Sequence, residues 1–257
     1  MAIFFILTFA FSWGLGGLTI LAFGQPGYVI GRSTNNPLFF LFFGFGPSFA
    51  AFITAGLVGG RAEVSELLSR MGRWRVDFRW YATVVVGIPA LALSAAVGAI
   101  MGGASASEFV RPFQGGFGDR WYQVAFYLLA ALVGEILGGP LSEEPGWRGY
   151  ALPRLLKSQN PLSASVALGL IWAVWHGPLF FMPGVHQFHM SFPLFAVNVV
   201  ALSILFTWVF IHTRGSVFIA ILMHLLFNLT LSANHLVAAT VADSAAALLV
   251  VAMGGLR

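Results

Sequence analysis

Long apolar runs separated by short polar stretches recur along the whole chain. A helix needs about 20 apolar residues to cross the hydrocarbon core of a bilayer. Eight stretches approach that length: residues 2–23, 38–59, 80–101, 121–141, 162–182, 192–212, 216–232 and 235–253, the last three with few polar residues between them. The first run, Ala2 to Phe23, has no basic residue ahead of it, exceeds a typical signal-peptide core and ends without an A-x-A-like cleavage site. It reads as a retained span. The pattern therefore predicts an all-α polytopic membrane protein of about eight transmembrane helices, with residues 1–257 forming one integral membrane domain.

Composition agrees with the pattern. The chain is 58% hydrophobic and 9% charged, whereas a soluble domain carries roughly 25% charged residues. Its mean hydropathy is +0.86. The apolar surplus has to face lipid. Without cysteine, disulfides and thiolate chemistry are excluded, and a metal would have to be held by His, Asp or Glu. A net charge of +4 does not imply nucleic acid, because the basic residues sit in short loops and form no continuous basic surface.

Those loops carry orientation. Arg61, Arg70, Arg73, Arg75, Arg79, Arg148, Arg154, Lys157, Arg214 and Arg257 fall on one side of the predicted membrane, against Arg32, Arg111 and Arg120 on the other. Positive residues favour the cytoplasm, so both termini are expected inside, which requires an even number of spans. The Arg-rich stretch 61–79 has Val64, Leu67, Leu68 and Met71 at helical spacing, which suits a segment lying at the interface with basic side chains toward anionic headgroups; a solvated loop is the simpler alternative. No inverted repeat of Gly/Pro-broken segments marks a transporter.

The fourth run is irregular. Gly134, Gly138, Gly139 and Pro140 loosen it just before the charged stretch Ser142 to Arg148. Broken backbone at membrane depth is tolerated where it is buried in protein or lines a water-filled cavity, so a polar cavity facing the cytoplasm is expected here.

Ionisable groups inside apolar runs are costly and mark functional sites. Those present are Glu135, Glu143, Glu144, His176 and His224, the last with Asn228 one helical turn away on the same face. Glu144 and Arg148 share that spacing and suit an ion pair, leaving Glu143 rotated away and free to face a cavity. Each group alone has a structural explanation: a helix-to-helix hydrogen bond, a solvated helix end or a simple bridge. A carboxylate, two imidazoles and a carboxamide on three separate spans are an unusual set for packing alone. His186, His189, His212 and His235 fall in loops or at span ends and read as wet surface histidines. The role of Glu135 stays open.

A carboxylate and an imidazole converging on one water can take its proton and direct it at a carbonyl, while fixed donors stabilise the oxyanion that forms. His224 with Asn228 would supply two such donors from one helix face. A zinc site of Glu143, His176 and His224 is the alternative. The H-E-x-x-H signature is absent and asparagine is a poor zinc ligand, so metal-free glutamate chemistry is favoured and no cofactor is expected.

At these residues the chain resembles a known family. Glu143-Glu144-Pro145-Gly146-Trp147-Arg148 fits the E-E-x-x-x-R motif of the CAAX prenyl protease and bacteriocin-processing (CPBP/ABI) intramembrane endopeptidases. Trp172 to His176 is similar to that family's F-x-x-x-H motif, and His224 to Asn228 to its H-x-x-x-N/D motif. The three stand in the family's order over about residues 120–235, the expected catalytic helices. The resemblance implies an eight-helix fold with a cytoplasm-facing cavity, water activation by Glu143 and His176, oxyanion stabilisation by His224 and Asn228, and supporting roles for Glu144 and Arg148. Trp172 replaces the commoner Phe, keeping an aromatic wall and bearing on specificity more than catalysis. The substrate would be a membrane-associated peptide or protein, lipidated or not, met within the lipid bilayer, with no role for nucleic acid. Two other functions fit the same residues: a non-catalytic immunity or scaffold protein, and a proton-coupled transporter.

Overall fold

In the computed structural model, which describes residues 1–23, 36–107, 121–230 and 236–256, the chain is helical throughout and forms no strand among those residues. The principal helices are α1 (Ala2–Phe23), α2 (Pro37–Met71), α3 (Phe78–Met101), α4 (Trp121–Gly138), α5 (Pro140–Glu144), α6 (Pro161–Trp175), α7 (Phe192–His212), α8 (Val217–Thr230) and α9 (Leu236–Ala252). Eight of them coincide with the eight apolar runs, and α5 is an additional short helix. A wider, π-helical stretch, Pro145–Ala151, and a last turn, Leu152–Leu155, continue α5.

Among the described residues, five segments are long and apolar enough to cross a membrane: α1, α2, α3, Pro161–Phe181 and α7. The chain is a polytopic α-helical membrane protein. Helices α8 and α9 are shorter, at 14 and 17 residues. At 1.5 Å per residue a helix of 14 residues reaches about 21 Å, short of a bilayer core of about 30 Å.

The surplus apolar surface lies on the outside. On α3, Phe78, Val86, Leu93 and Met101 are all exposed, as are Leu248 and Leu249 on α9. In water such surface would drive aggregation, whereas lipid accepts it without cost. Arg32, Arg111, Arg120, His235 and Arg257 lie outside the described residues.

The stretch 61–79 differs from a segment lying freely at the interface. Gly60, at φ 62° and ψ −149°, breaks α2 into a spanning part and an Arg-rich extension. Leu67 on that extension is 3% exposed and packs under Gly149, while Val64 and Met71 are partly buried and only Leu68 of the four apolar positions is mostly free. Arg70 donates to the Gly149 carbonyl at 3.4 Å, and Arg154 pairs with Glu63. The stripe of apolar residues is thus spent on protein, and the arginines tie the extension to the helical stretch that continues α5.

Close backbone approach brings α1 and α2 against α5. The Ser12 hydroxyl donates to the Phe43 carbonyl at 2.8 Å and accepts from the Trp175 indole at 2.8 Å. A β-carbon on Gly46 would lie 2.0 Å from Ser12 Oγ, so no larger residue fits there without rebuilding the crossing. Asn36 caps α2 by accepting from the Phe39 N–H at 3.0 Å and donates to the Thr19 carbonyl at 3.0 Å, joining the end of α1 to the start of α2. Trp147 then packs edge-on against both Phe4 and Trp175, at ring separations of 6.0 and 5.9 Å.

Gly146, in the π-helical stretch that continues α5, sits against Pro47 of α2, and a β-carbon there would lie 2.6 Å from the Pro47 backbone. Because that contact is with backbone, Gly146→Ala is expected to destabilise the fold by roughly 1–3 kcal/mol. A lowered thermal midpoint of the detergent-solubilised protein checks this, and an unchanged midpoint contradicts it.

Candidate active site

The break in the fourth run falls at Gly139. Its φ of −150° and ψ of −71° end α4, and Pro140 then occupies the first turn of a new helix, where its missing N–H costs nothing. The Gly139 carbonyl accepts from the Glu143 N–H at 2.9 Å and from the Ser142 hydroxyl at 3.0 Å, which fixes the direction of α5. That direction carries Glu143 and Glu144 into the protein interior, at 5% and 0% exposure. The break expected just before the charged stretch thus falls at Gly139, and the stretch itself is helical and buried, widening into the π-helical form from Pro145.

The two carboxylates have separate environments. Glu144 Oε1 accepts from Arg148 Nη1 at 2.9 Å, the ion pair anticipated from their spacing. The same oxygen contacts His224 Nδ1 at 2.7 Å, which no spacing along the chain could reveal. Arg148 is fully buried, with its guanidinium 3.9 Å from the centre of the Phe206 ring and 4.4 Å from that of Trp172. Two aromatic faces and one carboxylate thus replace the water that this cation lost.

Glu143 is not free in the sense the spacing suggested. Its Oε2 accepts from the indole N–H of Trp172 at 2.7 Å and from that of Trp147 at 3.3 Å. Trp172 is thus more than an aromatic wall, since a Phe in its place would have no donor. The backbone carbonyl of Trp172 also lies 2.9 Å from His176 Nδ1, so one residue orients both Glu143 and His176. No direct hydrogen bond joins Glu143 to His176 among the described contacts.

Three polar atoms crowd against Gly139. A β-carbon on that residue would lie 2.9 Å from Asn228 Nδ2, 3.3 Å from His224 Nε2 and 3.8 Å from Glu143 Oε1. A carboxylate oxygen and two side-chain nitrogens from α5 and α8 therefore converge on the one backbone position where the absence of a side chain lets them approach. Glu135, half-buried on α4, is close enough to His224 for their charges to interact, as is His176. Among the described residues no three His, Asp or Glu side chains are grouped so as to hold a metal ion, the set Glu143, His176 and His224 included.

The remaining histidines have other surroundings. His212 Nδ1 contacts the Trp208 carbonyl at 2.9 Å and its ring packs on Trp80, while His186 and His189 lie in the short turn between α6 and α7. Of what sequence reading missed, the Trp147 donor was the most accessible, because it stands four residues after Glu143, the spacing of Glu144 and Arg148. Gly139, Phe206 and the Glu144–His224 contact required the fold.

Two comparisons bear on this arrangement. The family model described as Type II CAAX prenyl endopeptidase Rce1-like matches residues 120–230, which span α5, α6 and α8. The protein CAAX prenyl protease 2 of Methanococcus maripaludis is 29% identical over 193 residues, covering 70% of this chain and 68% of that one.

Removing one partner of a fully buried pair strands the other charge. Arg148→Ala is expected to destabilise the protein by about 3–5 kcal/mol, seen as a fall in thermal midpoint well beyond that of an alanine substitution at exposed Arg79. Equal midpoints for the two variants would show that Glu144 does not depend on Arg148.

Proposed function

We infer from one premise, that this chain belongs to the Rce1-like family of type II CAAX prenyl endopeptidases and is an intramembrane endopeptidase, that Glu143 is its catalytic base. The observation carrying this reading is the convergence of Glu143 Oε1, His224 Nε2 and Asn228 Nδ2 at Gly139. With Oε2 occupied by two indole donors, Oε1 is the oxygen left to take a proton from water. His176, fixed through Nδ1, presents Nε2 as a second contact for that water. The hydroxide so formed attacks the scissile carbonyl carbon.

As the C–O bond forms, negative charge collects on the carbonyl oxygen, and Asn228 Nδ2–H and His224 Nε2–H donate to it. For His224 to donate from Nε2 while Glu144 holds its Nδ1–H, the ring carries both protons. The C–N bond breaks as protonated Glu143 returns its proton to the departing amine, giving a free carboxylate and a free amine. Glu144, Arg148 and Trp172 act through their neighbours and are positioning residues.

The substrate we assign is the C-terminal peptide of a membrane-associated, prenylated protein, the class named for the Methanococcus relative. The aromatic walls of the site and its position among apolar helices suit a peptide bond held next to a lipid chain. The Arg-rich loops and both termini are assigned to the cytoplasmic side by the positive-inside rule.

Quenched fluorescent peptides with and without a C-terminal farnesyl-cysteine motif test the mechanism and the substrate together. Glu143→Gln keeps the volume and removes the base, so cleavage should fall by at least 10²-fold with the thermal midpoint little changed; full activity would remove Glu143 from the mechanism. Cleavage by the unaltered protein should survive a strong chelator, and chelator-sensitive cleavage restored by zinc would instead assign Glu143, His176 and His224 to a metal.

Gly139→Ala is a sharper probe of the proposed geometry, because its methyl group would press on Asn228 Nδ2 and His224 Nε2, the two proposed oxyanion donors. It should reduce kcat/KM by about 10²-fold, the scale of losing an oxyanion donor. Normal turnover in this variant would mean the carbonyl binds elsewhere.

A further inference from the structure

Beyond the catalytic site, and independent of the reading given for it, the most unbalanced charge among the described residues lies where two inter-helix loops meet. The loop between α2 and α3 supplies Arg73, Trp74 and Arg75, and the loop between α7 and α8 supplies Arg214. With Ser69 and Gly72 they line an open cavity of about 460 Å³. The Arg73 guanidinium donates to the Arg214 carbonyl, Arg214 Nη2 donates to the Arg75 carbonyl at 2.8 Å, and Ser216 Oγ donates to the Arg73 carbonyl at 2.6 Å. These ties fix both loops while the guanidinium groups crowd around one opening.

Three like charges repel one another unless something neutralises them. Glu66 reaches Arg73 at 3.7 Å, yet the same oxygen is already held by Arg70 at 2.8 Å. Among the described residues Arg75 and Arg214 make no ion pair. Arg214 also adopts φ 57°, a left-handed conformation that costs a non-glycine residue energy, and Gly215 follows at φ 75°. Strained backbone of this kind persists where surrounding structure overdetermines it and is concentrated at ligand clamps.

The location indicates the ligand. The cavity sits where spanning helices end, with Trp74 55% exposed beside it and Phe78, the first residue of α3, 80% exposed. Tryptophan at that level is characteristic of headgroup depth, and an exposed Phe one turn further suits acyl chains. Guanidinium groups bind phosphate through paired, charge-assisted hydrogen bonds. We propose that Arg73, Arg75 and Arg214 form a phosphate-binding site at the membrane surface, whose occupant is the headgroup phosphate of an anionic lipid or free phosphate.

Native mass spectrometry of the full chain, released from nanodiscs of phosphatidylcholine with or without phosphatidylglycerol, tests the site. The unaltered protein should retain one phosphatidylglycerol in preference to phosphatidylcholine. Arg75→Gln is the informative variant, because that side chain ties no other element down and the fold should survive its loss. Phosphatidylglycerol should then bind about fivefold more weakly, the share of one basic residue near a surface, while Arg75→Lys should recover most of the affinity. Displacement by millimolar inorganic phosphate would assign the cavity to phosphate as such, and resistance to it would assign the site to the lipid. Equal retention of the two lipids without any phosphate binding, or phosphatidylglycerol affinity unchanged in Arg75→Gln, would overturn the proposal.

Discussion

The buried carboxylate of Glu144 is the interaction on which the rest of this structure depends. It is fully enclosed and holds a guanidinium from its own helix and an imidazole from α8 on a single oxygen. A lone carboxylate at that depth would be prohibitively costly, so the two partners must be present and correctly placed before α5 can enter the bundle. Arg148 in turn needs the ring faces of Trp172 on α6 and Phe206 on α7. One charge therefore sets the mutual arrangement of four helices, and with it the position of His224.

Close packing does the complementary work. A helix carrying two carboxylates can sit inside a membrane protein only if neighbours cover it closely enough to exclude lipid and water. Gly146 meets Pro47, Gly149 sits on Leu67 and Gly169 lies against Val200, each at a distance that leaves no room for a β-carbon. These glycines concern contact between helices. Gly139 differs, because the atoms pressed against it are Glu143 Oε1, His224 Nε2 and Asn228 Nδ2. The same residue type thus lets helices touch at three places and lets the polar groups converge at another.

Two groups of charge stand at different levels of the molecule. At the deeper level, Glu144 and Arg148 are paired and fully covered. At the surface level, Arg73, Arg75 and Arg214 are gathered by backbone hydrogen bonds, and the one carboxylate in reach, Glu66, is shared between Arg73 and Arg70. Both levels touch α8, whose first residue, Val217, follows the Arg214 loop and whose His224 lies seven residues further, about 10 Å along the helix axis.

The sequence by itself determined the all-α membrane architecture, because apolar length against bilayer thickness leaves few alternatives for eight such runs. It also determined contacts that are local in the chain: Glu144 with Arg148 and the shared face of His224 and Asn228 follow from a helical turn of 3.6 residues. Tertiary structure alone decided the rest. That Trp172 donates to Glu143, that His224 leans on Glu144 rather than standing free, and that Gly139 borders the converging groups depend on residues up to 89 positions apart. The apolar residues of stretch 61–79 were legible as a helix face, but whether lipid or protein would cover that face was not. Periodicity reports which residues share a side, and only the packed bundle establishes what lies against it.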